Sequence, residues 1–354
     1  MRTKSELRFI ATAIAVATFL TTGAAQASPA TSLPNPSIVL AHRATANFLT
    51  AKFVNGAYLE GFTPGKPDFG FTLEALLQRF AAGQSAKQLA TAEKYSLIRS
   101  DITGTPKSKT GYLYSSEGTL IPGLAAKFIF TSEALGVKNS VLRNSISRSL
   151  EASVATSGLV ANANPGAFDY GWVTLAMAAI GSDSKGKAVG QKLLSFQHAD
   201  GGFGPDSNGA AQVSGTDSTG IALQALSTVR STRSVSFNSR VKAAISRAAG
   251  FLKASATGTP KSHWDAWGDY DSNGSSYAIM GLQSVGQNVS VYRRWLATKV
   301  AKDGGLVVSW TEQASKDCLA GGGSASDCLL SGDSYATAQG YLALVGSSYA
   351  QLIK

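Results

Sequence analysis

Charge is scarce in this chain. Only 15% of its 354 residues are Asp, Glu, Lys or Arg, and 44% are hydrophobic. That balance excludes an intrinsically disordered polypeptide, which combines high charge with few apolar residues. Cysteine is nearly absent: Cys318 and Cys328 are too few for a disulfide-dense scaffold or a four-thiolate zinc site. After the first 27 residues no apolar run reaches the roughly 18 residues of a membrane span, and the final Gln351-Leu352-Ile353-Lys354 is no anchor. The three histidines are scattered as His42, His198 and His263. Length alone allows one large domain or two ordinary ones, and it suffices for a full core.

What is present begins with a leader. Arg2, Lys4 and Arg8 precede the apolar stretch Phe9 to Leu20, and Ala25-Gln26-Ala27 forms a small-residue cleavage site. Residues 1–27 read as a signal peptide, 28–36 as a linker and 37–354 as the folded domain. The product is expected outside the cytoplasm, extracellular or periplasmic, and monomeric. Loss of three basic residues and one Glu lowers the net charge from +10 to +8. No nucleic-acid motif accompanies that surplus, so an anionic cell envelope is better placed than nucleic acid as a partner, and a plain solvated basic surface accounts for the charge as well. Export and the Gly-rich connection between them predict a local Cys318–Cys328 disulfide.

Two units alternate along the domain. The first is an amphipathic segment ending in a bulky residue and Leu before a turn: Phe48-Leu49, Leu193-Leu194, Phe251-Leu252 and Trp295-Leu296, with Leu150 in the same relation to Gly158. Around Val241 the apolar positions Val241, Ala244, Ile245, Ala248, Phe251 and Leu252 give the stripe of a surface helix. The second unit is almost wholly apolar and starts at Asp68, Glu117, Asp169, Asp217, Asn273 and Asp333, with spacings of 49, 52, 48, 56 and 60. Acidic and Asn starts suit helix caps, and helices apolar all round must be buried. The pattern predicts an all-α, (α/α)6 toroid with six outer and six inner helices. An open solenoid would need polar terminal repeats, and the last copy ends Tyr341-Leu342-Ala343-Leu344-Val345.

The stretch Gln197-His-Ala-Asp200-Gly-Gly-Phe-Gly204, followed by Thr216-Asp-Ser-Thr-Gly-Ile-Ala-Leu-Gln-Ala-Leu226, resembles the repeat of the prenyltransferase and squalene-cyclase toroids. Its inner-helix start is also similar to the cobalamin carriers of the intrinsic-factor type, which implies cobalamin as one ligand to consider. A fold does not select an activity. The cyclase motif Asp-x-Asp-Asp is absent: Asp269-Tyr-Asp271-Ser-Asn273 has Ser and Asn in its place. The Asp, Cys and His zinc set of the prenyltransferases and the complement thioester are missing too. The chain also leaves no room for the β-domain that closes over cobalamin. These absences favour a binding protein over an enzyme, and no catalytic residue is assigned.

Asp269 to Gly274 opens like a calcium loop, yet Met280 stands where the closing Glu belongs, so calcium is a minor expectation. The stretch His263-Trp264-Asp265-Ala-Trp267-Gly-Asp269-Tyr270-Asp271 is the most polar and aromatic in the chain. Aromatics with convergent carboxylates are what a sugar or small-ligand site uses. The expected ligand-binding residues are Asp169, Tyr170, Trp172, Asp217, Trp264, Trp267, Asp271 and Asp333, at the end of the ring where inner helices begin. The alternative is an extracellular enzyme, terpenoid- or carbohydrate-active, using mouth carboxylates as acid and base.

Overall fold

The computed structural model describes residues 36–137, 140–164, 166–204, 213–229, 235–324 and 328–353; the expected leader lies outside them. In chain order the helices are α1 (Pro36–Lys52), α2 (Phe69–Ala81), α3 (Ala86–Glu93), α4 (Ser100–Thr103), α5 (Pro122–Leu135), α6 (Ser140–Ser153), α7 (Ala167–Ala179), α8 (Asp183–Leu194), α9 (Thr216–Val229), α10 (Val235–Ser255), α11 (Ser272–Ser284), α12 (Ser290–Thr298), α13 (Ser309–Ala320) and α14 (Ser334–Val345). None of the described helices is long and apolar enough to cross a membrane.

Composition decides which helices are interior. Helix α7 carries a single charge, Asp169, and is buried from Tyr170 to Met177. Helix α12 buries only Tyr292 and Leu296. The inner helices are α2, α5, α7, α9, α11 and α14; each packs on the next, and α14 returns to α2. That return closes the ring and rules out the solenoid. Helices α1, α3, α6, α8, α10 and α12 form the outer wall, giving the expected all-α (α/α)6 toroid. Helix α13 is extra, and Cys318 near its end is joined to Cys328, with Cα atoms 5.5 Å apart.

β-Structure is confined to short turns. An antiparallel pairing across six positions recurs after every outer helix: Phe53 with Leu59, Tyr114 with Leu120, Val154 with Val160, Gln197 with Phe203, Thr257 with His263 and Val300 with Leu306. Two of these turns lead to two-residue ladders, β1 (Phe53–Val54) with β2 (Tyr58–Leu59), and β3 (Asp265–Ala266) with β4 (Asp269–Tyr270). The turn glycine lets the chain touch the neighbouring outer helix: at Gly304, where φ is +94°, a Cβ would lie 2.3 Å from the Ala44 carbonyl of α1.

The inner-helix starts need correction. Asp68 and Asp333 are N-caps as expected, accepting from Phe71 N at 2.9 Å and Ala336 N at 2.7 Å. Glu117 is not: α5 begins five residues later, because Pro122 fixes a helical φ and needs no donor there. Asp169, Asp217 and Asn273 lie inside the first turns of their helices. The cap of α11 is Asp271, which accepts from Asn273 N at 2.9 Å.

A second device follows the cap. The hydroxyl at the fourth helical position accepts a backbone N–H from the preceding turn: Leu59 to Thr72, Phe203 to Thr219, Trp264 to Ser275 and Leu306 to Thr337, all within 2.8–3.1 Å. Tyr170 does the same with its phenol, accepting from Val160 N at 3.2 Å. The Asp-Ser-Thr start of α9 therefore encodes how each turn is fastened to its inner helix.

One residue beyond α14 fills the ring axis. Tyr349 is fully buried, its hydroxyl 3.0 Å from Gln78 Nε2 and its N–H donating to Gln224 Oε1 at 2.8 Å. Its ring meets Phe130, Trp172 and Tyr277, so the side chain touches four inner helices and its backbone N–H a fifth.

Candidate functional site

Residues four apart on a helix share a face, and the inner helices use this to stack two layers at the end where they begin. The second positions are Gly70, Gly123, Phe168, Asp217, Asn273 and Tyr335; four residues on come Glu74, Lys127, Trp172, Ile221, Tyr277 and Gln339. Contacts run within and between the layers. Lys127 Nζ is paired with the buried Glu74 and lies 5.2 Å from the Trp172 ring centre and 5.6 Å from that of Phe168. Tyr277 donates to Glu74 Oε2 at 2.8 Å and meets the Phe168 ring edge-on. Asn273 Nδ2 donates to Gln339 Oε1 at 3.2 Å. The deeper layer is thus a buried floor centred on the Glu74, Lys127 and Tyr277 network, and burial beside Glu74 pushes the Tyr277 phenol well above its usual range.

Above the floor lie the carboxylates. Asp217 is exposed, and its Oδ1 accepts from Ser218 N at 2.6 Å. Asp271, on the next inner helix around the ring, is half-buried, and burial, with the nearby Asp217 charge, holds its carboxyl above the ordinary range. Asp169 rests against α5, where a Cβ at Gly123 would lie 2.6 Å from its Oδ1, and accepts from Asn164 N at 3.0 Å. Burial raises its pKa, partly offset by Asn164 and Lys127. Burial also raises Asp333, the α14 cap.

The expected aromatic residues divide. Trp267 is at the tip of the β3–β4 turn and is 96% exposed. Tyr170, Trp172 and Trp264 are buried and pack rather than present a surface. Tyr170 fastens a turn, Trp172 belongs to the floor, and Trp264 donates Nε1–H to the Leu252 carbonyl at 2.8 Å while stacking near Tyr292. A buried indole that must satisfy its N–H finds the end of a neighbouring outer helix, so Trp264 packs the wall while Trp267, Asp269 and Asp271 of the same stretch stay at least partly open.

Other mouth residues escaped the sequence reading. Tyr335 stacks at 4.4 Å beneath Phe62, which is 87% exposed, and meets the edge of Phe71. On the other side of Asp68, Phe69 stacks on Tyr112 at 3.8 Å and lies near Tyr95. Both sets follow from aromatic residues flanking the Asp68 cap, a local signal the repeat comparison passed over. In the Asp269–Gly274 stretch Asp269 accepts from Tyr270 N, and Asp271 caps α11. Among the described residues no three His, Cys, Asp or Glu side chains converge on a metal position.

No protein-family model matches the chain, and no curated protein matches its sequence. Solved structures do resemble its fold. A protein from Actinoplanes is 16% identical with a TM-score of 0.61, over 87% of this chain and 99% of that one. An inactive variant of the alpha-1,6-mannanase GH76A of Salegentibacter, in complex with alpha-1,6-mannotriose, is 8% identical with a TM-score of 0.58, covering 89% and 99%. The unsaturated glucuronyl hydrolase of Bacillus, responsible for the degradation of glycosaminoglycan, is 12% identical with a TM-score of 0.54, covering 87% and 95%. At these identities the likeness is one of fold. The two named enzymes act on glycans, and the likeness to cobalamin carriers is not shown.

Proposed function

We propose that this protein is a secreted, carbohydrate-active toroid that takes a glycan at the mouth where the inner helices begin and cleaves it with Asp271 and Asp217. The observation that carries this reading is the inequality of two neighbouring carboxyls. Asp271 is half-buried with a raised pKa, which suits a proton donor, while Asp217 is exposed and suits a base. In the reaction, Asp271 gives its proton to the leaving glycosidic oxygen as the bond to the anomeric carbon breaks. Water supplies the new bond to that carbon, and its proton passes to Asp217. Phe168, in the same layer as Asp217, and the exposed Phe62 offer ring faces for sugar stacking at this end of the ring. The glycan-active neighbours support the same substrate class, and the Cys318–Cys328 bridge suits an oxidising compartment.

The test is reducing-end release from mannans, glucans and uronate-containing oligosaccharides by the mature protein. Asp217→Asn and Asp271→Asn should each lower the rate at least ~100-fold, in the range of a lost acid or base, with unchanged helicity. Full activity in the double variant would remove these residues from the mechanism. The second reading, glycan binding without cleavage, is favoured by the use of Asp68, Asp271 and Asp333 oxygens in helix caps. Its mark is a thermal shift with glycan, not with cobalamin, and no product.

A further inference from the structure

The longest helix of the outer wall carries no acid. Over Val235–Ser255, α10 has four cations, Arg240, Lys242, Arg247 and Lys253, all exposed. Their spacing sorts them. Arg240 and Arg247 are seven apart and share one line along the helix; Lys242 and Lys253 are eleven apart and share another. Between the two lines run Ser239, Ala243, Ser246 and Gly250, also exposed, and a Cβ added at Gly250 would meet nothing within 4 Å. At 1.5 Å per residue the charged span from Arg240 to Lys253 is about 20 Å long.

None of the four cations forms an ion pair among the described residues. Arg247 and Lys253 are instead held by neutral amides, Gln197 Oε1 and Gln287 Oε1, which orient the charges without neutralising them. Helix α8 alongside adds Lys187, whose ammonium lies 5.6 Å from the Phe237 ring centre of α10.

We infer that the exposed face of α10 is a docking track for a linear anionic polysaccharide, whose carboxylates or phosphates sit between the two lines of cations. Charge complementarity names the polyanion, and side-chain chemistry separates its source. A membrane-lying helix needs an apolar face to insert, and the apolar face of α10 is buried in the ring. Single-stranded nucleic acid needs aromatic stacking platforms, and the track carries only Ser, Ala and Gly between its cations. The inference does not rest on the proposed cleavage chemistry, since the track lies on the outer wall and uses none of the mouth carboxylates.

Fluorescently labelled polygalacturonate is the probe, with anisotropy read at about 50 mM and about 200 mM salt, where screening lengths differ roughly two-fold. The wild-type protein should bind at the lower salt and lose about tenfold or more in affinity at the higher. R240E/K242E/R247E/K253E should weaken low-salt binding at least ~10-fold. K87E/K94E/K107E/K302E changes the net charge equally at exposed sites elsewhere and should weaken it less than ~3-fold. Equal weakening by both sets, or no binding by the wild type, would overturn the track. Tighter binding to duplex DNA or to anionic phosphatidylserine vesicles through the same four cations would overturn the polysaccharide assignment.

Discussion

At the scale of single residues, Tyr349 is the side chain whose removal should be felt most widely. Tyr349→Ala empties the ring axis and takes one hydrogen-bonding neighbour from Gln78, so it should cost about 4 kcal/mol in urea unfolding. Tyr349→Phe keeps the ring and should cost about 1 kcal/mol. Glu312 makes a pH prediction. It accepts from Tyr270 OH at 2.6 Å and pairs with Lys299 and Lys316, and these partners, Tyr270 first, hold its carboxyl down to about 2. A carboxyl lowered on folding contributes stability that is present above its unfolded pKa and lost as pH falls through the folded one. Urea midpoints measured from pH 5 to pH 2 should therefore fall less steeply in Glu312→Gln than in the wild type. Asp271 acts oppositely, because a raised carboxyl favours the folded state while protonated and loses that contribution as pH rises.

At the scale of elements, the tightest junction is between α9 and α11. A Cβ at Gly220 would lie 2.3 Å from the Tyr277 carbonyl oxygen, a backbone atom that cannot step aside. Gly220→Ala should thus destabilise the protein by about 3 kcal/mol or more, read as a lowered urea midpoint. Reduction of Cys318–Cys328 should do the reverse of a global effect. It should speed hydrogen exchange in α13 while the ring melts within a few degrees of the oxidised protein, since α13 stands outside the twelve ring helices. The inner helices were legible in the sequence because a segment such as Trp172 to Ala179 is apolar on nearly every side, with Thr174 as its one polar residue. Their first residues were less so. An Asp before an apolar run marks a cap at Asp68 and Asp333, but the same letter falls inside the helix at Asp169 and Asp217, where Gly166 and Gly215 precede it. Helix α3 left no bulky-Leu pair to read; its start is marked by the Ser85–Gln88 capping box instead.

At the scale of the whole molecule, the ring explains why the site was only partly legible. Asp271 and Asp217 belong to different repeats, and the influence of the Asp217 charge on Asp271 arises from the packing of α9 on α11, which no local pattern encodes. Glu74 and Lys127 stand in largely apolar inner helices of consecutive repeats, and the packing of α2 on α5 sets them side by side. Closure also fixes an order of events during synthesis. A ribosome releases α2 long before α14, and α2 cannot acquire its second inner neighbour until residues 334–345 have emerged. Until then the growing chain carries an apolar flank at each end of an unfinished arc, open to whatever chaperone or translocation machinery binds such surfaces. The last inner helix to be made is the one that withdraws both flanks at once.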